Sequence, residues 1–249
     1  MNKRFAAMAC LLTVCTTAHG KTMPQQQMFG WTYGVGIGIN QELYKGYERR
    51  VIPIPMIGYR GEKFDLYGPF MSYKAYQADD FAIKLTLSPR FAGFDESDSD
   101  VFIGMDEREF SFDAGLSLEY NPKPWKTRWA VKQDILGKSN GTESQLSISK
   151  SYRFGPLVVS PQAQIEYQSQ NMVDYYYGVK AHEATAERPE YQPDAAYNPS
   201  IGTGFMMPGL GGMFNANVRY TWYDDQIADS PLTEKDSSFS FMLVYSRFF

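Results

Sequence analysis

Few side chains in this sequence could carry out chemistry, and they do not converge. His182 and His19 are its two histidines. A histidine is the usual general base near neutral pH, and Glu183 and Glu187 stand close enough to His182 to orient it. A triad would also need a nucleophile, and no serine lies between Ser169 and Tyr197. The simpler reading is a solvated loop histidine, so no catalytic residue is assigned. Asp95, Glu96, Asp98 and Asp100, followed by Glu107 and Arg108, offer oxygen ligands to a hard cation. Their spacing is not that of an EF-hand, and a solvated acidic loop is expected, without a metal site. Tyr175, Tyr176 and Tyr177 form a tyrosine run with two open readings: an anchor for a partner or saccharide, or packing of the loop on whatever lies beneath it. Lys180 to Glu187 reads as a short helix beside it. The cysteines, Cys10 and Cys15, both fall near the start, so beyond them there is no thiolate ligand, nucleophile or disulfide. No cofactor is implied.

The elements that position these residues announce themselves by strict alternation. Trp31, Tyr33, Val35, Ile37 and Ile39 alternate with Thr32 and Gly34, Gly36 and Gly38. The period of two returns around Phe81–Leu87, Phe110–Tyr120, Leu157–Tyr167, Phe214–Trp222 and Phe239–Tyr245. Side chains on a strand point to opposite faces in turn, so each segment has one apolar and one polar face. A soluble sandwich would show this too. Three features favour a membrane barrel. The segments are roughly nine to twelve residues long, enough for a tilted crossing. Their apolar faces begin or end in aromatics, as girdles at a lipid boundary do. Their polar faces carry charges in mid-segment, which a barrel holds in its lumen. The lumen-facing candidates are Lys84, Arg90, Asp113, Glu119, Arg128, Lys132, Asp134, Arg153, Glu166 and Arg219. These charges could line an open pore, or pair and close it.

Turn lengths give an independent check, because bacterial barrels have short periplasmic turns and longer outer loops. Short connections are expected at Gly61–Lys63, Gln77–Asp80, Asn121–Trp125, Gly155–Pro156 and Pro208–Gly212. Longer ones are expected at Gln41–Arg50, Asp95–Glu107, Gly137–Glu143, Ser169–Tyr197 and Asp224–Asp236. The alternation fails once, between Gly61 and Gln77. It is restored if Phe64–Tyr76 crosses twice, breaking at Gly68-Pro69. The fold class is therefore all-β, a transmembrane antiparallel up-and-down β-barrel of about twelve strands, with ten as the alternative.

The first residues fit an export signal: Lys3 and Arg4, an apolar run from Phe5 to Val14, and a small-x-small site at Ala18–Gly20. A signal over residues 1–20 and a barrel over 21–249 are expected, placed in the outer membrane of a Gram-negative cell. Its surroundings would be outer-membrane lipid and lipopolysaccharide. Phe249, a terminal aromatic on an amphipathic strand, suits recognition by the barrel-insertion machinery. Arg247 falls on the nominal lipid face, where only a position at the membrane edge would let it snorkel. A formal net charge of -4 argues against a nucleic-acid partner.

Several stretches in order resemble one family of outer-membrane proteins. They are Tyr44-Lys45-Gly46-Tyr47, Ile52-Pro53-Ile54-Pro55 leading to Gly58-Tyr59-Arg60-Gly61-Glu62, Ser139-Asn140-Gly141, Asp174 to Val179, Pro189-Glu190-Tyr191 and Ala228-Asp229-Ser230-Pro231. The sequence is similar to the MipA/OmpV family, named for the MltA-interacting protein. The resemblance implies a barrel without enzymatic activity. For the founding member it implies a scaffold joining a lytic transglycosylase to a penicillin-binding protein; other members are described as porin-like. It supplies no binding residues. A scaffold is the expected function, and a small-solute channel is the alternative.

Overall fold

The computed structural model describes residues 29–249, so the expected signal segment lies outside the described residues. The strands are β1 (Gly30–Gln41), β2 (Arg49–Arg60), β3 (Phe64–Tyr67), β4 (Phe70–Ala78), β5 (Phe81–Arg90), β6 (Ser111–Tyr120) and β7 (Trp125–Asp134). They continue with β8 (Thr142–Lys150), β9 (Tyr152–Phe154), β10 (Leu157–Gln168), β11 (Ala196–Gly209), β12 (Gly212–Trp222) and β13 (Ser237–Phe248). Every neighbouring pair is antiparallel, and β13 pairs with β1 over Thr32–Asn40, which closes the ring. β9 continues β8 past Ser151 in the same register against β10, so the ring has twelve staves. Apart from one stretch beside β3 and β4, closure leaves no sheet edge, the condition for a β-structure in lipid.

The faces follow the alternation. Val35 and Ile57 are each 66% exposed on the outer wall, while Gly36 faces inward. A Cβ on Gly36 would lie 2.8 Å from Val244 Cγ2 and 2.9 Å from the Leu243 carbonyl, so β1 and β13 approach through this glycine. Phe249 N donates to the Trp31 carbonyl at 3.0 Å, and its ring lies 4.9 Å from that of Tyr33. Arg247, on the outer face, folds over the turn at Leu210-Gly211: its guanidinium would lie 3.1 Å from a Cβ placed on Gly211. That places its charge at the membrane edge, as snorkelling requires.

One pair of staves is unlike the rest. The double crossing within Phe64–Tyr76 is present, but β3 has four residues and β4 nine, and the hairpin turns at Gly68-Pro69. β3 pairs with β2 only at Gly58–Arg60, and β4 reaches β5 only as far as Leu87. Above the hairpin, β2 and the top of β5 have no strand neighbour on the facing sides. An unpaired N–H in hydrocarbon is costly, and the sequence removes the donors there. The Ile57 carbonyl accepts from Gly68 N at 3.0 Å, so the odd residues of β2 direct their backbone groups towards the hairpin side. Two of them, Pro53 and Pro55, have no N–H to leave unpaired. On β5, Pro89 lies opposite Phe112, whose carbonyl is already used by Ile135 N at 2.9 Å. Pro89 therefore faces the same gap from the other side.

The outer loops form a folded unit. Loop residues 42–48, 91–110, 169–195 and 223–236 contribute Tyr44, Phe94, Phe102, Met105, Val179 and Leu232 to one apolar core. Leu43, Val173, Ala196 and Ile227 form a second. Phe94 and Phe102 stack at 3.8 Å with their planes 6° apart. α1 (Gln170–Tyr177) lies within this lid, burying Met172, Val173 and Tyr176 on one face. The helix expected over Lys180–Glu187 does not form. That segment turns tightly at 181–183 so that Glu183 points inward, and the helical periodicity lies one segment earlier. α2 (Asp225–Ala228) is a single turn capped by the Asp224 side chain, which accepts from Gln226 N.

Candidate functional site

All ten charged candidates lie on the inward-facing positions of their strands, and the register groups most of them into two clusters. Towards the short-turn end, Glu119 accepts from Lys84 Nζ at 2.9 Å, with Lys126 and Arg128 each 3.8 Å away. Towards the lid, Arg90 bridges Asp113 at 2.7 Å and Glu143 at 2.8 Å, and Lys132 lies 3.5 Å from Glu143. The Arg90–Glu143 bridge spans β5 and β8, which are not neighbours in the ladder, and the other bridges join adjacent strands, so together the charges brace β5 to β8 from inside. Asp134 behaves differently. Its carboxylate accepts from Leu136 N at 3.0 Å, Ser139 N at 2.6 Å and Asn140 N at 3.1 Å, and also from the Ser111 hydroxyl, so it caps the 135–141 loop. Arg153 lies at the exposed short-turn end. Glu166 and Arg219 line a cavity beneath the lid.

Two members of these clusters escape sequence reasoning. Lys126 sits one residue into β7, close to a turn, and turn lengths put Glu143 at a loop end rather than in β8. Both alternate in phase with their strands, and that phase was the available signal. One stretch of the opposite wall carries no charge. Between Arg50 and Arg60, the inward residues of β2 are Ile52, Ile54, Met56 and Gly58. They face Gly34, Gly36 and Gly38 of β1, with Met242 and Val244 on β13. An apolar strip thus runs along β2, β1 and β13 between Arg50 and Arg60.

The cavity has a volume of about 400 Å³. Leu43, Tyr44, Tyr177 and Tyr223 roof it from the lid, and Arg90, Lys132, Glu143, Glu166 and Arg219 are among its walls. The tyrosine run belongs to this roof. Tyr177 stacks on Tyr44 at 5.6 Å, and the Tyr44 hydroxyl donates to the Tyr176 carbonyl at 3.1 Å. Tyr176 is buried, while the Tyr175 hydroxyl accepts from Glu109 N at 2.9 Å. Burial drives the Tyr44 and Tyr177 phenols well above their ordinary range, so both stay neutral and act by packing.

An ion pair at the centre of the lid holds its loops together. Arg108 donates to both Glu183 oxygens, at 2.8 and 2.9 Å, and to the Tyr175 carbonyl at 2.6 Å. Glu183 also accepts from Asp106 N at 3.0 Å and Lys180 N at 2.9 Å. Burial pushes the Glu183 carboxyl up, but the hydrogen bonds from Arg108 and from these amides outweigh it and leave it below its ordinary value. Outside this pair, Asp106 takes Lys180 Nζ at 2.7 Å and His182 Nε2 at 3.1 Å, and these two partners lower its pKa to about 2. Among the described residues, Asp106 is the hydrogen-bond partner of the His182 ring. Asp106, His182 and Glu183 are close enough together to suggest metal ligands. Arg108 occupies both Glu183 oxygens, however, and Lys180 adds a positive charge, so the cluster already has its counter-ions.

The two depressed carboxyls set a pH dependence for the lid. A group whose folded pKa lies below its unfolded value stabilises the fold above that unfolded value, and the stabilisation is lost as pH falls through the folded value. Protease resistance of the outer loops is therefore expected to hold down to about pH 4 and to decline between there and pH 2, the Asp106 value. Limited pepsin digestion of the detergent-solubilised barrel across that range measures it. A lid equally resistant at pH 2 and pH 4 contradicts the assignment.

The MltA-interacting protein of Escherichia coli K12 is 28% identical over 209 residues, covering 82% of this chain and 84% of that protein. Outer membrane protein OmpV of Vibrio cholerae is 26% identical over 207 residues, with coverages of 82% and 80%. Among solved structures, an outer membrane channel from Pseudomonas putida F1 aligns over 92% of this chain and all of its own, with 12% identity and a TM-score of 0.48. The family model described as MltA-interacting protein MipA matches residues 33–249. With a closed twelve-stave ring, lipid-facing apolar positions and relatives named as outer-membrane proteins, the chain is an outer-membrane β-barrel that belongs to the MltA-interacting protein MipA family.

Proposed function

We propose that this barrel is a non-enzymatic scaffold that presents its periplasmic rim to a peptidoglycan-remodelling enzyme of the lytic transglycosylase class, and through it to a penicillin-binding protein. The observation that carries the reading is the lid. Loops from four hairpins bury a shared apolar core over the outer mouth, which disfavours bulk solute flow along the axis. The name of the Escherichia coli relative, MltA-interacting protein, supplies the partner class. The rim available for contact is a ring of short turns. Leu210 is 82% and Phe249 85% exposed there. Such apolar tips rimmed by polar turns are what a transient protein contact uses.

Purified barrel in detergent, immobilised and challenged with a periplasmic extract, is expected to enrich a lytic transglycosylase. Replacing Leu210 with Asp should cut that enrichment several-fold and leave the heat-modifiable mobility of the folded barrel unchanged. Equal capture by the intact protein and by an unrelated barrel removes the scaffold reading. The channel alternative is favoured by the charged cavity, and planar-bilayer recording separates the two. The intact protein is expected to be nearly silent, and steady conductance at all voltages would favour the channel.

A further inference from the structure

The gap above the β3–β4 hairpin opens the cavity sideways. Its lower edge is Gly68-Pro69, one side is β2 from Val51 to Pro55, and the other is the end of β5 at Pro89. Its upper edge is a side-chain bridge: Arg50 donates to the Phe91 carbonyl and, at 2.6 Å, to the Gly93 carbonyl. Arg50, Ile52, Pro89 and Phe91 all line the cavity beneath the lid, so the gap and the cavity are continuous. The opening lies within the membrane. The lipid-facing residues beside it are Val51, 52% exposed, and Ile57, with the rings of Phe70 and Phe91 at its lip 6.4 Å apart. The hairpin stops well below the top of β2, so the opening lies on the lid side of the wall, at the level of the outer leaflet.

Three further observations say what passes. Pro53, Pro55 and Pro89 remove amide donors from both sides of the gap and leave Val51 as the one gap-facing N–H between Val51 and Pro55, too few to hold an added strand. A peptide is thereby disfavoured and a hydrocarbon chain is not. Directly inside, the β2 wall is apolar through Ile52 and Ile54. Arg219 lies in the same register row as Arg50, through Ser240 and Asn40, and lines the cavity. None of the ion pairs that brace the lumen includes it. An apolar approach leading to a cation outside those pairs fits one class of molecule.

We propose that this window is a lateral portal through which an anionic amphiphile of the outer leaflet, with a hydrocarbon tail and a carboxylate or phosphate head, enters the cavity and places its head against Arg219. The portal operates with the lid closed and does not depend on the scaffold reading. Its amphiphile stays within the leaflet's depth throughout, so no axial pore is required.

The test uses the absence of cysteine after Cys15. Single variants Ile52→Cys, Val51→Cys and Gln164→Cys are labelled with a bimane fluorophore and placed in nanodiscs of phospholipid brominated on its acyl chains. Val51 reports the lipid face, and Gln164 reports the far lumen wall. The Ile52 label is expected to be quenched at least half as strongly as the Val51 label, and the Gln164 label hardly at all. Quenching at Ile52 no greater than at Gln164 overturns the portal. If Ile52→Cys fails to fold, Ile54→Cys on the same face gives the same reading. In ordinary nanodiscs, a brominated fatty acid titrated against the Ile52 label tests the head. Arg219→Gln is expected to raise its half-saturating concentration about tenfold, a loss of one charge-assisted contact. The corresponding brominated alcohol is expected to bind both proteins equally. A fatty acid that binds both proteins equally overturns the role of Arg219.

Discussion

Replacing Arg108 with alanine is expected to convert a nearly silent barrel into a conducting one. Arg108 is 2% exposed, and its bidentate partner Glu183 is 1% exposed. Removing one member of a buried pair leaves an uncompensated charge, at a cost of about 3–5 kcal/mol. The loss also frees the Tyr175 carbonyl and removes the buried tie between loop residues 91–110 and 169–195, leaving the bonds from Arg188 to the Val101 and Ile103 carbonyls to hold them. The staves are hydrogen-bonded independently of the lid, so the barrel should keep its resistance to sodium dodecyl sulfate at room temperature. Two readouts should move together: conductance in a planar bilayer should rise, and trypsin should cut within the outer loops. Arg108→Ala combined with Glu183→Gln removes the stranded charge and should recover part of the protease resistance. Unchanged conductance with an intact lid would show that the apolar core alone seals the mouth.

The second large effect lies in the wall. Arg90→Ala leaves Asp113 and Glu143 facing each other without their shared cation. Both are nearly buried, so again about 3–5 kcal/mol is at stake, now in the barrel itself. The urea midpoint of the folded form in detergent should fall clearly, and the heat-modifiable transition should move to lower temperature. Glu143→Gln added to Arg90→Ala should restore part of the loss, and the double-mutant cycle isolates the coupling. If Arg90→Ala unfolds no more readily than an outer-face control such as Val35→Ala, water in the lumen is screening the charges and the cross-brace carries little.

How much of this was legible in the sequence depended on period. Residues 31–39, 81–87 and 110–120 alternate so strictly that strand, face and lipid side followed from them, and the register bears this out. The awkward double crossing at Phe64–Tyr76 was also readable, because alternating turn lengths required it. What could not be read was the consequence of its shortness. A four-residue strand has too few positions to reveal its register, and the meaning of Pro53, Pro55 and Pro89 appears only when their neighbours are known to be missing. The lid was invisible for a different reason. Phe94, Val179 and Leu232 meet across long stretches of chain without any local pattern, and alanine content points to a helix at Lys180–Glu187 where the spacing of Met172, Val173 and Tyr176 marks the one that forms. Burial of the tyrosines was one of two open readings, and only tertiary contacts could separate them.

The contacts between the first and last outer loops have a temporal meaning. Tyr44 bridges to Thr233, and Lys45 N donates to the Leu232 carbonyl at 2.9 Å, joining segments separated by almost the whole chain. Bringing such distant segments together carries a loop-closure cost that only a finished ring has already met. A half-inserted barrel therefore has no lid, and its outer loops remain open to digestion. Loop protection thus marks completed assembly, and a pulse of protease during biogenesis would separate newborn from mature copies by whether residues 42–48 have found residues 229–236.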